Sequence, residues 1–226
     1  MATPASINPL YRMRTNIVKL KLILLVCAAT AMTSLPLRAQ VGHNDQVLNP
    51  NRASQKALLQ LDQLDSTRVA TLVAGRPYLS MVQLDTTLTD LPEAAKKALY
   101  PHLFLPINLN TAAEGEILLV PGVGERMAHE FEEYRPYKNL QQFRREIGKY
   151  VDENEIARLE QYVFVPINLN TAAEADILSI PGVGKRLAHE FEEYRPYKNI
   201  EQFRREIGKY VDENEVARLE RYVILD

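Results

Sequence analysis

The chain has 226 residues, of which 46% are apolar and 25% are charged, a composition typical of one or two globular domains rather than of a disordered polypeptide. Residues 1–39 contain five basic residues and no acidic one, so the rest of the chain has 22 basic and 29 acidic residues and a net charge of −7. This balance argues against a strongly basic nucleic-acid-binding protein. The only cysteine is Cys27, which excludes a disulfide framework.

The first 39 residues resemble a secretory signal peptide. An uncharged run over residues 22–37 ends in Leu37-Arg38-Ala39, a tolerable cleavage site, and it follows four basic residues: Arg12, Arg14, Lys19 and Lys21. The run is shorter than the ~20 residues that span a bilayer, so a retained anchor is the weaker interpretation. A lipid-modified Cys27 is a second alternative, but no small residue precedes it. We expect an exported protein, periplasmic or extracellular, with no stable membrane span after processing.

A tandem repeat follows. Residues 107–166 and 167–226 align without a gap and share 47 of 60 positions. A degenerate copy precedes them, because Asn49-Pro50-Asn51 and Arg76-Pro77-Tyr78 repeat the positions of Asn108-Leu109-Asn110 and Arg135-Pro136-Tyr137. The sequence therefore predicts a signal peptide and three modules. Their expected bounds are 1–39 for the signal peptide, 40–106 for the degenerate first module, 107–166 for the second module and 167–226 for the third.

Each module is predicted to contain four short helices. In the second module, Thr111 and Glu114 predict a capping box at the start of the first helix, and residues 121–124 a hairpin before the second. Asn139 and Asp152 are expected to cap the third and fourth helices. Apolar residues recur at helical spacing, which predicts an all-α core. No convincing strand pattern is present, so residues 162–169 are predicted to form a plain extended connector.

The Pro-Gly-Val-Gly hairpin, at residues 121–124 and again at 181–184, is the sharpest chemical motif. A Gly-x-Gly turn that leads into a helix directs unpaired backbone N–H groups toward one point, with the positive end of the helix dipole behind them. Such a turn suits a phosphate group, although tight turns between packed helices also need glycine. The candidate phosphate-binding residues are Gly122, Val123, Gly124, Arg126, Gly182, Val183, Gly184, Lys185 and Arg186, with a secondary hairpin at Gly148, Lys149, Gly208 and Lys209.

The three modules are not equally suited to an anion. The third has Lys185 where the second has Glu125, whose carboxylate would repel a bound phosphate. The first has Asp62-Gln63-Leu64-Asp65 at the corresponding place, with no glycine and two carboxylates, and is predicted to bind nothing anionic. His129 and His189 have no partner at metal-ligand spacing, so no metal site is expected.

These residues resemble the tandem helix-hairpin-helix domain of the ComEA family of exported competence proteins. The similarity covers the second and third modules and rests on Asn108-Leu109-Asn110-Thr111-Ala112, Ile117-Leu118, Pro121-Gly122-Val123-Gly124, Ala128 and Phe131. The secondary hairpin departs from the family pattern, since Ile147-Gly148-Lys149 replaces a second Pro-Gly-x-Gly.

The resemblance implies an all-α, SAM/HhH-like fold and a non-catalytic protein that binds duplex DNA without sequence preference, with a role in DNA uptake or competence. The hairpin amides and basic residues would contact the phosphates. Related hairpins often hold a monovalent cation through main-chain carbonyls, and no other cofactor is implied.

Two alternatives remain open. An envelope scaffold or protein-interaction module would use the hairpins only to pack helices, as in PsbU, a photosystem II subunit with a similar unit that does not bind DNA; the net charge of −7 favours this reading. Helix-hairpin-helix units also accompany nucleases, glycosylases and ligases. Residues 40–106, however, contain no metal-ligand cluster, nucleophile and base pair or P-loop, so we expect no enzymatic activity and no catalytic residue.

Overall fold

The computed structural model describes residues 46–225, and the expected signal peptide at residues 1–39 lies outside them. The described residues form twelve short α-helices, one 3-10 turn and four two-residue strands, and about half of these residues are helical. The predicted mostly helical fold is therefore confirmed.

Four helices recur in every module. The first module contains α1 (Gln55–Leu58), α2 (Ser66–Ala74), α3 (Met81–Thr87) and α4 (Glu93–Leu99). The second contains α5 (Glu114–Ile117), α6 (Glu125–Glu133), α7 (Leu140–Ile147) and α8 (Glu153–Leu159), followed by the 3-10 turn Glu160–Tyr162. The third contains α9 (Glu174–Ser179), α10 (Lys185–Glu193), α11 (Ile200–Ile207) and α12 (Glu213–Glu220).

Side-chain caps determine where several of these helices begin. Asn139 accepts a hydrogen bond from the Gln142 amide at 2.8 Å, and Asp152 accepts one from the Glu155 amide at 2.9 Å, so both predicted caps are confirmed. The same bonds recur in the third module at Asn199 and Asp212.

The predicted capping box of Thr111 and Glu114 is wrong. Helix α5 begins after Ala113, which has no side-chain cap. Thr111 lies one turn earlier, where its amide donates to the Asn108 carbonyl at 3.2 Å and the Asn110 amide donates to Asn108 Oδ1 at 2.9 Å. The turn that Asn108 opens therefore takes the place of a threonine-capped helix start.

Short parallel strands close the second and third modules. Strand β1 (Ile107–Asn108) pairs with β2 (Val163–Phe164), and β3 (Ile167–Asn168) pairs with β4 (Val223–Ile224). A single parallel bridge between Leu48 and Leu103 occupies the same place in the first module. The prediction of a plain connector over residues 162–169 is therefore corrected. Two-residue strands have no alternation that a sequence pattern can reveal, and packing of the module specifies them.

A polar tie joins the start of each module to the loop after its second helix. Asn110 Nδ2 donates to the Tyr137 carbonyl at 2.8 Å, and the Tyr137 amide returns a bond to Asn110 Oδ1 at 2.6 Å. Arg135 Nη2 donates to the Ala112 carbonyl at 2.6 Å. The same ties occur at Asn51, Tyr78 and Arg76 and at Asn170, Tyr197 and Arg195. The two motifs that revealed the first module are thus hydrogen-bonded to each other.

The buried apolar residues form two clusters. The first two modules share one cluster, and the third module forms the other together with Phe164 of the second. In the second module Phe131 meets Phe143 edge to face at 5.2 Å, and in the third Phe191 meets Phe203 in the same geometry at 5.2 Å. These ring pairs fix the second and third helices of each module against each other, and so fix the hairpin that leads into the second helix.

Candidate nucleic-acid interface

Each glycine hairpin contains one residue with positive φ. The angle is 80° at Gly122 and 85° at Gly182, and no other described residue has a positive φ. An L side chain is strained in this region, so glycine is required at both places. The buried side chains of Val123 and Val183 anchor the hairpins on the core. Their amides donate to the carbonyls of Val120 and Ile180, at 3.0 Å each, and are thus engaged in the turn, unlike the role predicted from the sequence.

The second glycine of each hairpin is the N-cap of the following helix. Gly124 and Gly184 have φ values of −111° and −99°, and no side chain caps α6 or α10. Both glycines are exposed, and a Cβ at either would meet nothing within 4 Å. The first backbone bonds within these helices are donated by Ala128 and Ala188. The N–H groups of the first turn therefore have no acceptor within the helix, and uncapped amides of this kind bind anions at helix N-termini.

Basic side chains flank these helix starts. Lys185 and Arg186 are exposed in the third module, and Arg126 is exposed in the second. None of the three forms an ion pair or a side-chain hydrogen bond with another residue between 46 and 225. In the second module the exposed Glu125 lies next to Arg126. The third hairpin therefore has two uncompensated positive charges, whereas the second has one beside a carboxylate.

The first module differs at this place. Asp65 is the N-cap of α2, and its carboxylate accepts a hydrogen bond from the Arg68 amide at 2.8 Å and pairs with the Arg68 guanidinium at 2.6 Å. Gln63, at the position of Gly122, does not have a positive φ. A carboxylate of the protein itself thus occupies the helix start that the other two modules leave open.

The residues of the secondary hairpin make contacts with neighbouring residues of the same module. Lys149 Nζ lies 2.5 Å from Glu146 and 4.7 Å from the centre of the Tyr134 ring. Lys149, with Arg145, holds the pKa of the Glu146 carboxyl below its ordinary value. Gly148 ends α7, and a Cβ there would lie 2.5 Å from the Arg144 carbonyl oxygen. The glycine is thus explained by packing and the lysine charge is balanced, as at Gly208 and Lys209 in the third module.

Two arginines that the sequence did not single out lie against the hairpins. Arg158 Nη2 lies 3.0 Å from the position that a Cβ would take at Gly122. At Gly182 the corresponding place is taken by Arg52, whose Nε lies 2.8 Å away. Arg52 belongs to the first module, and the equivalent residues of the other modules are Thr111 and Thr171. No repeat pattern could have identified it.

Between residues 46 and 225 no cluster of three or more His, Cys, Asp or Glu side chains could hold a metal ion. In the same part of the chain no helix combines the length and hydropathy that crossing a bilayer requires.

Comparison with known families agrees with this geometry. The family described as the helix-hairpin-helix motif matches residues 163–220, which include α9 to α12 and the third hairpin. Such motifs commonly bind nucleic acids. Searches of curated proteins and of solved structures gave no match. The third module thus contains a helix-hairpin-helix motif, and the second repeats its helix order and its hairpin geometry.

Proposed function

We propose that this protein binds duplex DNA without sequence preference and without catalysis, through the helix starts that follow the two glycine hairpins. One observation carries the proposal. Helix α10 begins at an exposed, uncapped Gly184, next to Lys185 and Arg186, which have no ion-pair partner between residues 46 and 225. Backbone amides at a helix start and unpaired cations together suit a phosphate group.

The chemistry of these contacts supports sequence independence. Backbone amides, lysine and arginine contact phosphate oxygens, which are the same at every base pair, so they position the protein and read no sequence. Two hairpins on one chain add avidity if both reach the same duplex. Because phosphate contacts release counterions, the affinity should fall steeply as salt rises.

The acidic net charge is compatible with this role because the charges are unevenly distributed. Several glutamates are paired within their own module, for example Glu160 with Arg144 and Glu220 with Arg204. On α10, Glu190, Glu192 and Glu193 lie near the helix end opposite Lys185. On α10 the negative charge therefore lies away from Lys185 and Arg186.

We further propose that the protein works outside the cytoplasmic membrane, in DNA uptake. The resemblance to the ComEA family and the signal-like segment at residues 1–39 support this location and process. The module bounds 40–106, 107–166 and 167–226 belong to the same proposal.

Fluorescence anisotropy with short duplexes of unrelated sequence tests the proposal. The full-length protein should bind all of them alike, and affinity should fall by at least about a hundredfold between about 50 and about 200 mM salt if several phosphates are contacted. The double variant Lys185→Glu and Arg186→Glu should lose most of this affinity. Lys198→Glu is the matched control, since Lys198 is exposed beyond the far end of α10. The proposal is contradicted if the wild-type protein does not bind DNA, or if Lys198→Glu loses as much affinity as the double variant.

A protein-interaction role is the second candidate, and one observation favours it. In the first module Asp65 caps helix α2, and the side chains of Leu79 and Val82 are 44% and 49% exposed. Exposed apolar side chains mark a contact surface where they form one contiguous patch. Capture of a partner that survives nuclease treatment and is lost in Val82→Ser would support this role, and capture only in the presence of DNA would refute it.

A further inference from the structure

The third hairpin receives an arginine from another module. The Cζ, Nε and Nη1 atoms of Arg52 lie 2.6, 2.8 and 3.0 Å from the position that a Cβ would take at Gly182. Arg52 is exposed and forms no side-chain hydrogen bond or ion pair with any residue of the described part of the chain. Its positive charge is therefore not balanced where it lies.

Helix α12 contains the counterpart of Arg158. Arg218 forms a two-pronged pair with Glu215, at 2.7 and 2.6 Å, and this pair repeats the geometry of Arg158 with Glu155 in the second module. Arg158 holds its guanidinium against Gly122. At Gly182, however, the three nearest atoms all belong to Arg52, so Arg52 takes the place that Arg158 has in the second module.

The two modules differ in how far this arginine is covered. The Arg158 side chain is 33% exposed, whereas the Arg218 side chain is 3% exposed. Arg218 Nη1 is buried and has no hydrogen-bond partner among the described residues. The Arg218 guanidinium is therefore withdrawn from solvent, whereas the Arg52 guanidinium beside Gly182 belongs to an exposed residue.

We propose that Arg52 completes a phosphate site at the third hairpin, so that this site is built from the first and third modules together. Arg52 supplies a forked donor to the anion, and the first turn of α10 supplies backbone amides. Where the phosphate belongs to the DNA backbone, this inference rests on the proposed function above. The anion chemistry is the same for free inorganic phosphate, and the two sources are separated below.

The composite site gives the degenerate module a role. Its own helix start is occupied by Asp65, so it offers no open amides to an anion. Through Arg52 it nevertheless adds positive charge to the hairpin that already has Lys185 and Arg186. The second hairpin, with Glu125 and with Arg158 exposed to solvent, has no donor from another module among the atoms nearest to Gly122.

Substitution of Arg52 in the full-length protein tests the site with DNA. In anisotropy measurements with a short duplex, Arg52→Gln should weaken binding about fivefold to tenfold and reduce the salt slope by about one. Lys97→Gln, which removes an exposed charge from the same module, is the matched control and should change the affinity less than twofold. Arg52→Lys should restore the salt slope but only part of the affinity, because lysine lacks the fork. Equal effects of Arg52→Gln and Lys97→Gln overturn the inference while leaving the proposed function intact.

Binding of inorganic phosphate is a second test of the site that does not depend on DNA. In two-dimensional amide NMR spectra, phosphate should shift the Gly184 and Lys185 signals of the wild type, and these shifts should disappear in Arg52→Gln. Thermal unfolding by circular dichroism should give the same midpoint for both, since Arg52 is exposed. If phosphate shifts these amide signals but the protein does not bind DNA, the DNA-binding proposal is rejected and the composite phosphate site stands. The absence of phosphate shifts in the wild type, or their persistence in Arg52→Gln, overturns the composite site.

Discussion

The first and third modules share one fold but differ at the start of their second helix. In the first module Asp65 places a carboxylate against the amides of α2, and in the third module Gly184 leaves the corresponding amides of α10 uncovered. The helix order, the Asn–Tyr tie and the closing strand contact are common to both. One residue at the N-cap thus separates a module that satisfies its own helix dipole from one that can accept an external anion.

The largest expected effect comes from giving the third module the first module's cap. Gly184→Asp should lower DNA affinity at least about tenfold, because the new carboxylate competes for the amides and repels phosphate. The same change should raise the free energy of unfolding by only a few tenths of a kcal/mol, since Gly and Asp are both acceptable caps. Anisotropy and urea unfolding measure the two quantities. Unchanged DNA affinity in a folded variant would show that the α10 start does not hold DNA.

The next effect concerns the turn itself. Gly182→Ala should cost about 1–2 kcal/mol of unfolding free energy because φ is 85°, and a Cβ would also lie 2.6 Å from Arg52 Cζ. Gly122→Ala should cost slightly less, since its nearest atom, Arg158 Nη2, lies 3.0 Å away. Gly115→Ala in α5, where a Cβ meets nothing within 4 Å, should be neutral or stabilising. Equal urea midpoints for Gly182→Ala and Gly115→Ala would contradict the observed turn.

A smaller difference between modules lies under the second helix. Tyr78 OH donates to the Leu72 carbonyl at 3.1 Å, whereas the buried Tyr137 and Tyr197 hydroxyls have no partner among the described residues. Tyr78→Phe should therefore cost about 1 kcal/mol, and Tyr137→Phe or Tyr197→Phe should cost nothing or add stability. Chemical denaturation of the three variants compares them directly. A Tyr137→Phe variant that loses as much as Tyr78→Phe would show that this hydroxyl is hydrogen-bonded in solution.

The smallest expected effect concerns the stability of the fold at acidic pH. Lys209 and Arg205 hold the pKa of the Glu206 carboxyl below its ordinary value of 4.5. The folded protein therefore binds this proton less readily than the unfolded chain, so the contribution is present above pH 4.5 and is lost as pH falls toward the lowered value. Glu206→Gln should flatten the decline of the melting temperature below about pH 4.5. Glu213→Gln is the control, since Glu213 is exposed, and it should leave this decline unchanged. The same dependence of melting temperature on pH in Glu206→Gln and in the wild type would refute the prediction.

Local chemistry explains why much of the fold could be predicted. An N-cap is decided within four residues, so Asn139 and Asp152 could be identified from the sequence. The glycine requirement at residue 122 is equally local, since it follows from one backbone angle. Thr111 also has cap chemistry, but the turn opened by Asn108 competes with it, and the sequence contains no measure of that competition.

Contacts between distant residues could not be predicted. Arg52 reaches Gly182 from another module, and its equivalents Thr111 and Thr171 give no hint of this. The Asn110 and Arg135 motifs could be recognised as repeated, but their bonds to Tyr137 and Ala112 span more than twenty residues. Contacts of this kind depend on how the chain packs and not on the pattern of any one segment.

The short strands have a consequence for how such a chain can change in length. Because Ile167 lies opposite Val223, as Ile107 lies opposite Val163, each module begins and ends at neighbouring points. The third module also has its own apolar core. An in-frame gain or loss of 60 residues would thus leave the two ends of the remaining chain at neighbouring points. Recombination between near-identical repeats would then set the number of hairpins, and selection could adjust their individual charges afterwards, as Glu125 and Lys185 illustrate.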